Sequence, residues 1–206
     1  MPTKLFYVHD PMCSWCWGFR PTLQRLIEQL PKTLEVEYLL GGLAADTHHP
    51  MPKAQQQAII QHWKRIEQTL GSHFNYDFWH LCKPRRSTYP ACRSVIAAKK
   101  QTKEMDMIQA IQEAYYVKAQ NPSDYDTHYQ LAQALGLNLE QFKKDIMSSE
   151  TEQSLQQQIQ LSRSLPISGF PSLVLWHNSK WHPIKVDYLD HNTMLGLIET
   201  IKSQQV

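Results

Sequence analysis

Cys13-Ser14-Trp15-Cys16 stands between Lys4-Leu5-Phe6-Tyr7-Val8 and the run from Trp17 to Ile27. The first flank is short, β-branched and aromatic, which predicts a strand. In the second, apolar residues recur at helical spacing. Two cysteines separated by two residues, placed where a strand turns into a helix, read as a redox pair. Free backbone N–H groups at a helix start stabilise an anion, so the first thiol is expected to ionise more easily than a free one. The thiolate is the attacking species in disulfide exchange. Cys13 is therefore expected to be the nucleophile. Cys16, one turn further on and less exposed, is the expected resolving thiol. A structural zinc would need a second Cys or His pair at similar spacing. Cys82 and Cys92 lie too far apart to form one, so no metal is expected, and both are read as packed thiols outside the active site.

The 206 residues are enough to bury a core without staples. Twenty-one basic and 19 acidic residues are interspersed for a formal charge of +2, so neither a nucleic-acid nor a membrane-surface patch is expected. The ten histidines are scattered and read as surface and cap groups. Met1-Pro2-Thr3-Lys4 runs directly into the first strand with no apolar leader segment, which leads to the expectation of a cytoplasmic protein. Thiols there are mostly kept reduced, so a CxxC pair reads as cycling chemistry rather than a staple.

Pattern along the chain divides it in three. Leu34 to Leu40 alternates like a second strand and ends at Gly41-Gly42, read as a turn. From Asp46 to Leu165 the β-branched runs vanish. Six helices are expected there: 54–70, 90–100, 104–119, 126–135, 139–147 and 152–165, with Gly71 and Gly136 as stops and Asn138 as an N-cap. The aromatic stretch from His73 to Trp79 is read as a loop or turn. Strands return at 171–176 and 181–186, followed by a closing helix to Lys202. The order is β-α-β, helices, β-β-α, an α/β fold. Its core comprises residues 1–45 and 167–206, with an all-helical insertion at 46–166 between the two halves.

Gly169-Phe170-Pro171 precedes the third core strand, where proline is tolerated because it need not donate to the ladder. Four stretches carry a resemblance: Asp10 to Gly18 around the cysteines, Leu40-Gly41-Gly42-Leu43, Tyr89-Pro90-Ala91-Cys92-Arg93 and Gly169-Phe170-Pro171-Ser172. With them the chain resembles the DsbA family of thiol–disulfide oxidoreductases, and most closely its cytosolic branch described as FrnE-like or as protein-disulfide isomerases. The resemblance implies a thioredoxin-like core and a cis Phe170–Pro171 bond beside Cys13. It also implies a groove where an extended thiol substrate pairs with the backbone at Phe170 as an added strand. Expected partners are protein or peptide disulfides. No bound cofactor is expected, and glutathione or a dithiol is the expected redox co-substrate. Periplasmic members carry His between the cysteines. Here Ser14 and Trp15 add no cation, so a less oxidising couple is expected. Phe170 is larger than the Val or Thr common at its position and alters the groove. Two other functions compete. One is a glutathione-dependent enzyme of the kappa-class transferase and hydroxychromene-carboxylate isomerase type, which needs no second thiol at Cys16. The other is a redox-controlled binding module presenting the aromatics Phe74, Tyr76, Phe78, Trp79 and Tyr89, which core packing explains more simply.

Overall fold

The computed structural model describes residues 2–203. Residue 1 and residues 204–206, the outer ends of the two core segments, lie outside the described residues. Strand β1 (Lys4–His9) leads through helix α1 (Ser14–Gln29) to β2 (Glu35–Leu40). The last elements are β3 (Ser172–His177), β4 (Lys180–Ile184) and α9 (His191–Ser203). The sheet order is β2-β1-β3-β4. β1 and β2 run parallel, as strands joined by a helical crossover must, and the other two pairs are antiparallel. Alternation sends Leu5, Tyr7, Leu173 and Leu175 to one face, where Phe19, Leu23 and Leu26 of α1 and Met194 and Ile198 of α9 cover them. Val8 and Val174 point the other way, towards Leu39 and Leu165. This is the α/β, thioredoxin-like arrangement expected, with helices between its halves.

Among the described residues those helices number seven rather than six: α2 (Lys53–Leu70), α3 (Phe78–Leu81), α4 (Tyr89–Lys99), α5 (Glu104–Tyr116), α6 (Tyr125–Ala134), α7 (Leu139–Ile146) and α8 (Ser149–Ser164). The extra one, α3, is a single turn inside the aromatic stretch. It forms because Phe74, Phe78, Trp79, Tyr115 and Tyr116 gather around the buried ring of Trp63, at centroid distances of 4.9 to 6.0 Å. Helix α4 is buried from Tyr89 to Cys92 and from Ser94 to Ala98, and forms the centre of the helical core. Helix α8 begins three residues before the expected Glu152, because the Ser148 side chain accepts a hydrogen bond from the Thr151 N–H and caps it. Asn138 caps α7 in the same way through Gln141.

Two histidines depart from the surface reading. His9 and His128 are fully buried. His9 is the last residue of the central strand and stacks flat on Tyr7 at 5.0 Å, so the sheet, not solvent, sets its environment.

Candidate active site

The chain leaves β1 at His9 and must turn before α1 begins. Asp10 makes that turn: its Oδ1 accepts the Met12 N–H at 2.8 Å, and its carbonyl accepts the Cys13 N–H at 3.0 Å. The carboxylate is fully buried, and its Oδ2 is fastened by three further donors. These are the Leu43 N–H (2.7 Å), the Thr88 hydroxyl (2.7 Å) and the Cys92 thiol (3.6 Å). Burial pushes the Asp10 carboxyl up, and the hydrogen bonds from Thr88, Leu43, Met12 and Cys92 oppose that shift. Asp10 thus ties the cysteine loop to the segment after β2 and to the start of α4. Cys92 is a buried thiol, as expected, but it packs directly against this anchor.

Cys13 is the N-cap residue of α1, in extended conformation, and Cys16 lies within the first turn. Both are free thiols. Cys13 retains 7% of its surface and Cys16 none, which orders them as outer and inner sulfur. The Phe170–Pro171 bond is cis. The Cys13 thiol donates to the Phe170 carbonyl at 3.6 Å, across 157 residues of sequence. The structure therefore brings Cys13, Cys16, Phe170 and Pro171 to one point. Burial pushes the Cys16 thiol well up, and the neighbouring Cys13 adds to the shift.

Ser14 and Trp15 face outward along a cavity of about 360 Å³ that opens beside Cys13. Its walls include Met12, Leu43 and Phe170, with Gln55, Ile59 and His62 from α2 and Arg85 and Arg86 from the loop before α4. The Trp15 ring packs edge-on against Tyr188 at 5.2 Å, and the Arg65 guanidinium lies 5.8 Å from its centre. Ser14 and Trp15 bring no charge themselves, but α2 brings a cation to Trp15. A second cavity, of about 310 Å³, reaches Cys16 but not Cys13, between α1 and α5.

Gly41-Gly42 does more than turn. Gly42 has φ +60°, the left-handed region that suits glycine. At Gly41 a Cβ would overlap the Phe170 ring, so the glycine is the seat of that ring. The sequence reading places Asp10 within the resemblance without a role of its own, Gly41 in a turn and Tyr7 in a strand. The available signal was Asp10-Pro11, a turn-initiating dipeptide directly before the cysteines.

The family model described as thioredoxin matches residues 6–195. The chain belongs to the thioredoxin family. Within that fold the DsbA-like resemblance holds. A structure from Nitrosomonas europaea, described as a candidate protein disulfide isomerase, is 28% identical with a TM-score of 0.86, and each chain covers 100% of the other. The cytosolic disulfide reductase DsbM from Pseudomonas aeruginosa is 22% identical with a TM-score of 0.79, over 98% of this chain and 100% of that one. The same protein has also been solved with GSH. A curated relative, the ClpXP adapter protein SpxH of Halalkalibacterium halodurans, is 24% identical over 86% of this chain. The match spans 60% of that relative's length. No described helix is long and apolar enough to cross a membrane. Among the described residues there is no group of three or more His, Cys, Asp or Glu that could hold a metal ion.

Proposed function

We propose that the protein is a thiol–disulfide oxidoreductase that reduces or reshuffles disulfides of protein or peptide substrates in the cytoplasm, with glutathione as the redox co-substrate. The observation that carries this reading is the stacking of three groups in depth. The Phe170 carbonyl faces Cys13, and Cys16 lies behind Cys13. Cys13 attacks a substrate sulfur from the open side. The mixed disulfide sits beside the larger cavity, and the exposed strand-start backbone at Phe170 is where an extended substrate pairs. Cys16 attacks Cys13 from within, closing the intramolecular disulfide and releasing the reduced substrate thiol. Glutathione returns the pair to the dithiol. A cytosolic disulfide reductase among the structural neighbours, also solved with GSH, supports the direction and the co-substrate.

Turnover of a reporter disulfide with glutathione tests the reading. Activity is expected in the native protein and should be abolished in Cys13→Ser. Full activity in Cys16→Ala, with stoichiometric consumption of glutathione, would instead support the kappa-type transferase.

A second reading follows from the name of the SpxH relatives: an adapter that carries a client protein to ClpXP. An adapter that acts by docking alone survives loss of both sulfurs, whereas the oxidoreductase does not. Delivery by a Cys13→Ser/Cys16→Ser variant therefore separates the two.

A further inference from the structure

We propose that the Tyr7 hydroxyl and the cavity between α1 and α5 form the route by which the proton of Cys16 leaves when this inner thiol attacks. The inference rests on the dithiol reading above.

Cys16 has no surface of its own, and its sulfur must shed a proton to become the attacking thiolate. The titratable side chains with the strongest electrostatic coupling to it include Cys13 on its own helix, Tyr7 on β1, Tyr116 at the end of α5 and Tyr188 before α9. None is a carboxylate or an imidazole. Asp10 meets Cys16 through its backbone, while its carboxylate is occupied by Met12, Leu43, Thr88 and Cys92. Of these groups only Tyr7 lines the same cavity as Cys16. A phenol accepts one proton as it donates another, so it can relay without storing charge. Burial holds the Tyr7 hydroxyl well above its ordinary range, which suits a relay and not a resident base.

The cavity has room for water and a few polar groups to hold it. Its volume of about 310 Å³ accommodates several molecules. Gln112, 3% exposed, lines it with an Oε1 that has no protein partner. Arg20 lines it too, and its buried Nη1 makes no hydrogen bond, with Glu113 3.9 Å away. Glu28 of α1 and Asp106 of α5 also line the cavity and can receive the proton from the water chain.

The step balances. In the mixed disulfide, the bond from Cys16 to Cys13 forms as the bond from Cys13 to the substrate sulfur breaks. The substrate leaves as a thiolate and takes a proton from bulk solvent. The Cys16 proton passes through Tyr7 into the cavity. Over the two successive attacks the cysteine pair is oxidised by two electrons and the substrate disulfide is reduced by two.

Tyr7→Phe keeps the ring that packs on His9 and Tyr38 and removes only the hydroxyl. The test mixes reduced protein, in a Cys82→Ser background, with oxidised glutathione. Quenched samples are counted by mass as mixed or intramolecular disulfide, across a range of pH. Tyr7→Phe should form the mixed disulfide at the native rate and resolve it at least about tenfold more slowly while Cys16 is protonated, with the deficit closing at high pH and a changed solvent deuterium isotope effect on the slowed step. Gln112→Leu, at the cavity wall, should slow the same step and spare the first. Native resolution in Tyr7→Phe overturns the route, as does a slowed step whose solvent deuterium isotope effect is native, which marks a static hydrogen bond. If the native protein never passes from mixed to intramolecular disulfide, the dithiol reading fails and the route fails with it.

Discussion

The Phe170 ring occupies the space in which a side chain at position 41 would begin, so Gly41 and Phe170 fit only because one of them has no Cβ. The same Phe170 offers its carbonyl to Cys13. A change at Gly41 therefore reaches the Cys13 sulfur without touching it. Gly41→Ala should force the ring out and move the carbonyl. We expect turnover of a reporter disulfide to fall by about tenfold to a hundredfold, the scale of a displacement of about 1 Å at a reacting centre. Gly41→Ala/Phe170→Ala, which removes the overlap, should recover stability in a denaturant titration. Native turnover in Gly41→Ala would contradict the coupling.

The two sulfurs should differ in access. Cys13 retains some surface and Cys16 retains none. Limited alkylation of the reduced protein, mapped by peptide mass, should label Cys13 before Cys16 and Cys92. Earlier labelling of Cys16 would reverse the roles assigned to the pair.

Buried His9 makes the fold sensitive to acid. Neither ring nitrogen has a partner, and burial lowers its pKa from 6.5 to about 3. His128 is held at about 4, also by burial. Below pH 6.5 the unfolded chain takes up protons that these folded side chains refuse. Stability is therefore lost as pH falls, at up to about 1.4 kcal/mol per pH unit for each group until its folded pKa is reached. His9→Phe keeps the stack on Tyr7 and should remove one share of that slope between pH 6 and 4. Denaturant midpoints that fall in parallel for both proteins would refute this.

The placement of the two cysteines at the start of a helix was legible in the sequence. A strand, two spaced cysteines and a helix are local features. Gly169-Phe170-Pro171, read with the resemblance, supplied the partner that meets Cys13. What the sequence withheld depends on contacts between distant segments. Asp10 is bound by Thr88 and Cys92, 78 and 82 residues away, and no local pattern records that. His9 looked like any scattered histidine until the sheet enclosed it. The turn α3 was missed because the aromatic side chains around Trp63 hold it, not propensity or a cap. The early start of α8 was readable in principle, since Ser148 is a good N-cap residue.

The central claim is that Cys13 and Cys16 form a reversible couple poised for reduction or reshuffling. The most direct measurement equilibrates the protein with glutathione buffers of graded ratio and quantifies the Cys13–Cys16 disulfide by mass. The account predicts a single reversible transition and a potential between about −270 and −180 mV, the span from thioredoxin to protein disulfide isomerase. The physical reason is that Ser14 and Trp15 place no charge of their own beside the Cys13 sulfur. Absence of an intramolecular disulfide at every ratio, or a potential near the roughly −120 mV of the strong periplasmic oxidants, would contradict it.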